Sequence, residues 1–175
     1  MVHSTTHSEG SKSKLDPYRT EHLFVLVGRN PLPNYVAGCL LLGAGGTLYL
    51  IHSTGPRGTG KVAQTLMARV PQYNPQLIPV DPQDTVLLRQ QVEYYLEHTS
   101  RGPVGLNYTG GTKVMAVHAY KAVENFCERR SREAIFSYLD ADTLEMSIEP
   151  RPGHPPFRCK VVQCVELTIE EVFGL

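Results

Sequence analysis

The feature that most constrains the fold is a regular alternation of short apolar segments with helical patterns. Segment 22–27 (His-Leu-Phe-Val-Leu-Val) is a nearly continuous apolar run that ends at Gly28, which is typical of a central parallel strand covered on both faces. Further strands are predicted at 47–52, 76–80 and 104–107, and helices at 32–42, 58–70, 84–98 and 112–130. Because strands that alternate with helices pair in parallel, the pattern predicts an α/β, Rossmann-like open sheet with helices on both faces.

The last part of the chain has strand-like patterns without intervening helices. Segments 134–139, 143–148 and 160–167 read as strands, and the Asp-Ala-Asp sequence at 140–142 suits a hairpin turn. The sheet is therefore predicted to be mostly parallel, with a C-terminal β-hairpin extension.

The first 20 residues of the chain contain few core-forming residues. Residues 1–20 are rich in Ser, Thr, Lys and His, which predicts a flexible N-terminal arm before one ligand-binding domain over 21–175. The arm has no apolar leader, and the longest apolar run, 36–51, is broken by glycines and shorter than the roughly 20 residues that a membrane helix needs. We expect a cytoplasmic protein with no membrane segment in this chain.

Charge and cysteine spacing narrow the classes of partner. The chain has 17 Lys and Arg and 17 Asp and Glu, so its formal net charge is zero. Proteins that coat long nucleic acids usually carry a basic excess, so we expect no long nucleic-acid partner. No C-x-x-C pair, Ser/His/Asp order or paired carboxylate cluster stands out, and no catalytic residue, metal or other cofactor is predicted.

Polar, glycine-containing segments follow three of the predicted strands. They are Gly28-Arg29-Asn30, Ser53-Thr54-Gly55 and Asn107-Tyr108-Thr109-Gly110-Gly111-Thr112-Lys113. In open α/β sheets, ligands bind outside the carboxyl ends of the strands, and each segment leads into a helix whose N-terminus attracts anions. Glycines let backbone N–H groups approach a phosphate closely, and Lys113 adds a full charge. The pattern predicts a site for a phosphate or phosphodiester, chiefly in the third segment.

Segment 55–62 (Gly-Pro-Arg-Gly-Thr-Gly-Lys-Val) is similar to a phosphate-binding P-loop. The residue after Lys61 is Val62, however, and not the Ser or Thr that would hold magnesium. The segment also follows the second predicted strand instead of the first. A surface loop or ligand lid is therefore the preferred interpretation, and a nucleotide triphosphate site that uses Lys61 is kept as an alternative.

The segment Leu106 to Lys113, followed by Val-Met-Ala, resembles the CARF (CRISPR-associated Rossmann fold) family, in particular a subgroup with an Asn-Tyr-Thr-Gly-Gly-Thr-Lys loop. The resemblance extends over about residues 20–170 and is less specific around the first strand. It implies a homodimer that binds a cyclic oligoadenylate, the second messenger of type III CRISPR antiviral defence. Carried onto this sequence, it implies contacts to phosphate and ribose from Asn107, Thr109, Gly110, Gly111, Thr112 and Lys113, with Gly28, Arg29 and Asn30 in the first loop and Ser53 and Thr54 after the second strand.

The resemblance leaves two functions open. Family members usually join this domain to an effector, and this sequence has no room for one, so we expect a sensor that regulates an effector domain or protein outside this chain. The alternative is a metal-independent ring nuclease, in which the ribose 2′-hydroxyl attacks the neighbouring phosphate and Lys113 or Arg29 stabilises the developing charge. For the sensor, the expected ligand is cyclic tetra-adenylate, with cyclic hexa-adenylate as the alternative ring.

Overall fold

The computed structural model describes residues 13–163, in which seven strands form one sheet in the order β3-β2-β1-β4-β5-β6-β7. The strands are β1 (Thr20–Leu26), β2 (Leu42–Ser53), β3 (Gln76–Val80), β4 (Val104–Asn107), β5 (Ala134–Asp140), β6 (Glu145–Ile148) and β7 (Phe157–Lys160). The helices of eight or more residues in this part of the chain are α1 (Leu32–Leu41), α2 (Gly60–Arg69), α3 (Thr85–Glu97) and α4 (Lys113–Arg130).

The first five strands are parallel, and the last two are antiparallel. β1 pairs with β2 on one side and with β4 on the other, while β5–β6 and β6–β7 form antiparallel ladders. From β1 the chain adds β2 and β3 on one side of the sheet, and then β4 to β7 on the other side. This reversal of direction opens a crevice between the carboxyl ends of β1 and β4. The predicted Rossmann-like sheet and its hairpin extension are both confirmed.

The core lies in two layers because successive residues of β1 point to opposite faces. Leu23 and Val25 pack with α1, α2 and the inner face of the hairpin. Phe24 and Leu26 pack with α3 and α4. All four side chains are fully buried, which explains why this strand is a continuous apolar run. The helices on both faces are those that the alternation predicts.

The N-terminal part of the ordered chain is longer than the sequence predicts. Leu15 is fully buried, and the Arg19 guanidinium donates to the carbonyl oxygen of Leu42 at 2.6 Å. β1 begins at Thr20, inside the segment predicted to be a flexible arm. Residues 15–20 therefore pack onto the domain through Leu15 and Arg19, contacts that the polar composition of the segment does not indicate.

The glycine-rich segment after α1 belongs to a strand, whereas the predicted strand starts only at residue 47. β2 continues from Leu42 because the ladder with β1 contains an irregularity, which moves the pairing from Thr20–Leu42 to His22–Thr47. At this irregularity a Cβ on Gly46 would lie 2.8 Å from the carbonyl oxygen of Glu21. Glycine therefore permits a close approach of two backbones at a position where the sequence indicated only a break.

Two details of the elements are not given by the sequence pattern. The buried positions of α3 are Leu88, Val92 and Leu96, whereas its other large apolar side chains, Val86, Leu87 and Tyr94, are exposed. The last strand is β7, which ends at Lys160 and is followed by a 3-10 turn, Val161–Gln163; the remainder of the predicted strand 160–167 lies outside the described residues. In the described part of the chain, no helix has the length and apolar character needed to cross a membrane.

Candidate functional site

The loops after β1 and β4 touch at the crevice between these two strands. A Cβ on Gly28 would lie 3.5 Å from both the Cα of Gly110 and the backbone nitrogen of Gly111. A Cβ on Gly110 would lie 2.2 Å from the carbonyl oxygen of Leu26, which no side chain could tolerate. The two loops therefore pack backbone against backbone, and the candidate residues from both loops form one site.

Gly111 completes the turn that leads from β4 into α4. Its φ is +74°, a conformation that side chains rarely adopt, and a Cβ would also lie 3.1 Å from the Cβ of Leu26. The residue itself is exposed. Glycine at this position thus serves the turn geometry and also leaves the solvent side of the backbone open to a ligand.

The N-terminus of α4 points into the same crevice. Thr112 is its N-cap, and its hydroxyl accepts the N–H of Met115 at 3.2 Å. The N–H groups of Lys113 and Val114 have no intrahelical acceptor because they belong to the first turn. With the exposed side chain of Lys113, this end of an 18-residue helix provides N–H donors, a partial positive charge and a full positive charge for an anion.

The side chain of Asn107 is engaged in hydrogen bonds within the protein, and its predicted ligand contact stays a prediction. It is fully buried, and its Nδ2 donates to the hydroxyl of Ser137 at 3.0 Å. Its Oδ1 accepts from the hydroxyl of Thr109 at 2.7 Å and from the backbone N–H of the same residue. The hydroxyl of Thr109 in turn accepts the N–H of Leu139 at 2.8 Å. Both side chains hold the loop in place instead of facing the crevice.

The loop after β1 presents two exposed polar side chains, Arg29 and Asn30. Asn30 Oδ1 accepts the N–H of Leu32 at 3.1 Å and so shapes the entry into α1. Arg29 has no hydrogen bond or ion pair with another described residue. It is therefore the second cation, after Lys113, that stands free near the crevice.

The segment after β2 is closed by its own side chains. Ser53 is buried, and its hydroxyl accepts the backbone N–H of Thr59 at 3.1 Å, while the hydroxyl of Thr59 accepts the backbone N–H of Ser53 at the same distance. The hydroxyl of Thr54 donates to the carbonyl oxygen of Val80 at 3.2 Å. The hydroxyl of Ser53 and both donors of Thr54 therefore bond within the protein, and the predicted ligand contacts of these two residues stay predictions.

The reciprocal bonds of Ser53 and Thr59 also determine the form of the P-loop-like segment. A Cβ on Gly58 would lie 2.4 Å from the carbonyl oxygen of Ser53, so the loop is folded back tightly onto the end of β2. Lys61 lies in the first turn of α2 and is exposed. Among residues 13–163, no group of three or more His, Cys, Asp or Glu side chains could hold a metal ion.

Glu149 is a residue that sequence reasoning missed. Its carboxylate accepts hydrogen bonds from the hydroxyls of Tyr108 and Tyr120, the second at 2.6 Å. Burial and the adjacent carboxylate raise the pKa of both tyrosines. Tyr108 directly precedes the glycine loop, so this carboxylate ties the loop to α4 and to the end of β6. The sequence carries no signal for it, because a hairpin brings Glu149 to this position.

No protein-family model and no curated protein matches the sequence. The structure resembles that of Can2 from Sulfobacillus thermosulfidooxidans in complex with cyclic tetra-adenylate, with a TM-score of 0.58, 18% identity and 77% of this chain covered. It also resembles protein VC1899 from Vibrio cholerae, with a TM-score of 0.59, 12% identity and 81% of this chain covered. The match spans 36% of the length of each of these proteins. The likeness shows that this chain shares the fold of the matched part of these two proteins.

Proposed function

We propose that this chain is a sensor domain that binds a cyclic oligoadenylate, with cyclic tetra-adenylate as the preferred ring, in type III CRISPR signalling. The observation that carries the proposal is the convergence of the loops after β1 and β4 on the free N-terminus of α4, in a fold that Can2 shares. We also propose that the chain belongs to the subgroup with the Asn-Tyr-Thr-Gly-Gly-Thr-Lys loop.

The site chemistry supports a ligand with phosphodiester groups. Gly110 and Gly111 carry no side chain that would keep an anion away from the backbone, and the first-turn N–H groups of α4 need an acceptor. Lys113 and Arg29 supply positive charge on the two sides of the crevice. In this proposal the backbone of Gly28, Gly110, Gly111 and Thr112 and the two cations contact the ligand, whereas Asn107, Thr109 and Ser53 hold the loops.

A homodimer is the proposed binding form because a ring of identical units is matched by two copies of one loop. The surface next to the loop fits this role. Val114 and Val117 lie on the exposed side of α4 within one turn of Lys113, with 41% and 52% of their surfaces accessible. Exposed apolar side chains also lie on α3, so exposure alone does not select the interface. The proposal places it on α4 because a two-fold axis there would bring two glycine loops together.

The effector that the sensor would regulate is proposed to lie outside the chain described here. The match to this chain covers 36% of the length of Can2 and of VC1899. The effector is therefore a further part of a larger protein or a separate protein that responds to the ligand-bound dimer.

Incubation with radiolabelled cyclic tetra-adenylate, followed by native and denaturing gels, tests the proposal. A shifted complex that contains intact ring supports a sensor. Conversion to linear product identifies a ring nuclease, which needs no metal and is therefore assayed with EDTA present. No complex and no product, together with a complex formed by magnesium-ATP, would contradict the proposal and favour a nucleotide site at Lys61.

A further inference from the structure

The carbonyl oxygen of Leu26 is the point on which the glycine loop rests. Leu26 is the last residue of β1, and the ladder between β1 and β4 ends one residue earlier, at the pair Val25–Asn107. The strands separate beyond this pair, and Gly110 folds over the Leu26 carbonyl so closely that a Cβ would lie 2.2 Å from its oxygen. The direction of this carbonyl therefore sets the height of the loop above the sheet.

Asn34 fixes the direction of that carbonyl. It lies in the first turns of α1, is fully buried, and its Nδ2 donates to the carbonyl oxygen of Leu26 at 2.8 Å. The other atom of the same amide, Oδ1, is buried and has no hydrogen-bond partner within residues 13–163. Exchanging the positions of Oδ1 and Nδ2 would not remove the unpaired atom, because the carbonyl of Leu26 would then lose its N–H donor.

An unpaired buried acceptor lowers stability, so the amide is a poor choice for the core alone. We infer that Asn34 is a positioning residue, which holds the Leu26 carbonyl and through it sets the glycine loop in its ligand-binding form. It acts through the backbone and does not touch the ligand. Asn107 performs the matching task on the other side of the crevice, since it holds Thr109 as β4 ends.

Asn34→Leu separates the positioning role from a role in stability. Leucine has a similar size and removes the unpaired Oδ1, while the Leu26 carbonyl loses its donor, so the number of unpaired buried acceptors at this point stays the same. The melting temperature should therefore stay within a few degrees of wild type. Leu40→Ala is the matched control, because Leu40 is buried in the same helix and its truncation should lower the melting temperature without disturbing the loop.

Two measurements on these variants test the inference. Amide hydrogen exchange at Thr109 and Leu139, whose N–H groups donate to Asn107 Oδ1 and to the Thr109 hydroxyl, should be faster in Asn34→Leu than in wild type and in Leu40→Ala. Cyclic tetra-adenylate affinity should fall at least about tenfold in Asn34→Leu only. The affinity readout rests on the proposed function, whereas the exchange readout needs no ligand. If wild type binds no cyclic oligoadenylate, the function fails but the exchange comparison still decides the inference. Unchanged exchange in Asn34→Leu overturns it.

Asn34→Asp gives a second test, which also applies if the leucine variant does not fold. An ionised carboxylate cannot donate to the Leu26 carbonyl, but a protonated carboxyl can, and burial raises the pKa of a carboxyl. Its affinity relative to wild type, compared at equal pH, should rise as the pH falls from 8 to 5, and exchange at Thr109 and Leu139 should slow towards wild type over the same range. Parallel pH profiles for the two proteins would overturn the inference.

Discussion

Gly28 and Gly110 face each other across the crevice, but only Gly28 has room for a side chain. A Cβ on Gly28 would lie 3.5 Å from the Cα of Gly110, an ordinary contact, whereas a Cβ on Gly110 would lie 2.7 Å from the backbone nitrogen of Gly28 and still nearer to the Leu26 carbonyl. A side chain would therefore fit at position 28 but not at position 110. Of these two residues, only Gly110 must be a glycine for the described chain to pack as it does.

Gly110→Ala should lower the free energy of unfolding by about 1–3 kcal/mol, since the methyl group forces the two loops apart. Gly28→Ala should change it by less than about 1 kcal/mol. Urea denaturation of both variants checks the difference. Equal stability of the two variants would show that the loops can separate freely, and the backbone packing of this site would then be incorrect.

Lys113→Ala should weaken cyclic tetra-adenylate binding at least about a hundredfold. A charge-assisted hydrogen bond contributes about 1.5–3 kcal/mol, and a two-fold site loses two of them. Lys61→Ala is the matched control, because Lys61 is also an exposed lysine in the first turn of a helix that follows a strand. Isothermal titration calorimetry measures both variants. A large loss in Lys61→Ala with none in Lys113→Ala would assign the ligand to the other loop.

Asn107→Ala should lower the stability of the fold even in the absence of ligand. The substitution leaves the Ser137 hydroxyl and the Thr109 N–H without their buried partner and removes a fully buried side chain. Each unpaired buried group costs about 1–3 kcal/mol. We expect a lower midpoint of urea denaturation in the absence of ligand. A midpoint equal to that of wild type, with binding lost, would restore Asn107 as a direct ligand contact.

The order of elements was predictable from the sequence because each strand is a short apolar run between two helical patterns. The residues that face the crevice were only partly predictable. The sequence pattern placed Gly28, Gly110 and Lys113 in one region, because the carboxyl ends of parallel strands lie at the same edge of the sheet. It could not distinguish an asparagine that contacts a ligand from one that holds the loop, because both occupy the same motif position. That difference depends on Ser137, which comes from a neighbouring strand.

Two other features lay beyond any local pattern. Glu149 reaches Tyr108 through the pairing of β5 with β6; the sequence predicts this hairpin but not which side chains it brings next to Tyr108. The buried face of α3 was not predictable either, because Val86, Leu87 and Tyr94 are apolar but exposed. Helical periodicity alone allowed either face to be buried, and the packing of α3 against α4 and the sheet selected Leu88 and its neighbours.

The Tyr108–Glu149–Tyr120 group should make the fold sensitive to alkaline pH. The pKa of each tyrosine is raised above its ordinary 10.0 by burial, then by the carboxylate. The hydroxyls therefore ionise in the unfolded chain before they ionise in the folded one. Their contribution is fully present below pH 10 and is lost as the pH rises above it.

Urea denaturation between pH 8 and pH 11 measures this contribution. The free energy of unfolding should fall more steeply in wild type than in the double variant Tyr108→Phe, Tyr120→Phe. Tyr94→Phe removes an exposed tyrosine and should keep the wild-type slope. If the double variant and wild type lose stability at the same rate, the two hydroxyls do not remain protonated in the fold.

Val117→Asp tests the surface proposed for the dimer. Val117 is about half exposed in a single chain, so the change should leave the monomer fold and its melting temperature nearly unaltered. In a two-fold interface through α4, two carboxylates would face apolar surface close to each other, which strongly disfavours association. Sedimentation velocity should show a monomer for Val117→Asp and a dimer for wild type, and affinity for cyclic tetra-adenylate should fall because each monomer holds half of the site.

Val86→Asp is the control, since Val86 is similarly exposed but lies on α3. A Val117→Asp protein that stays dimeric, or a dimer that Val86→Asp dissociates, would move the interface away from α4.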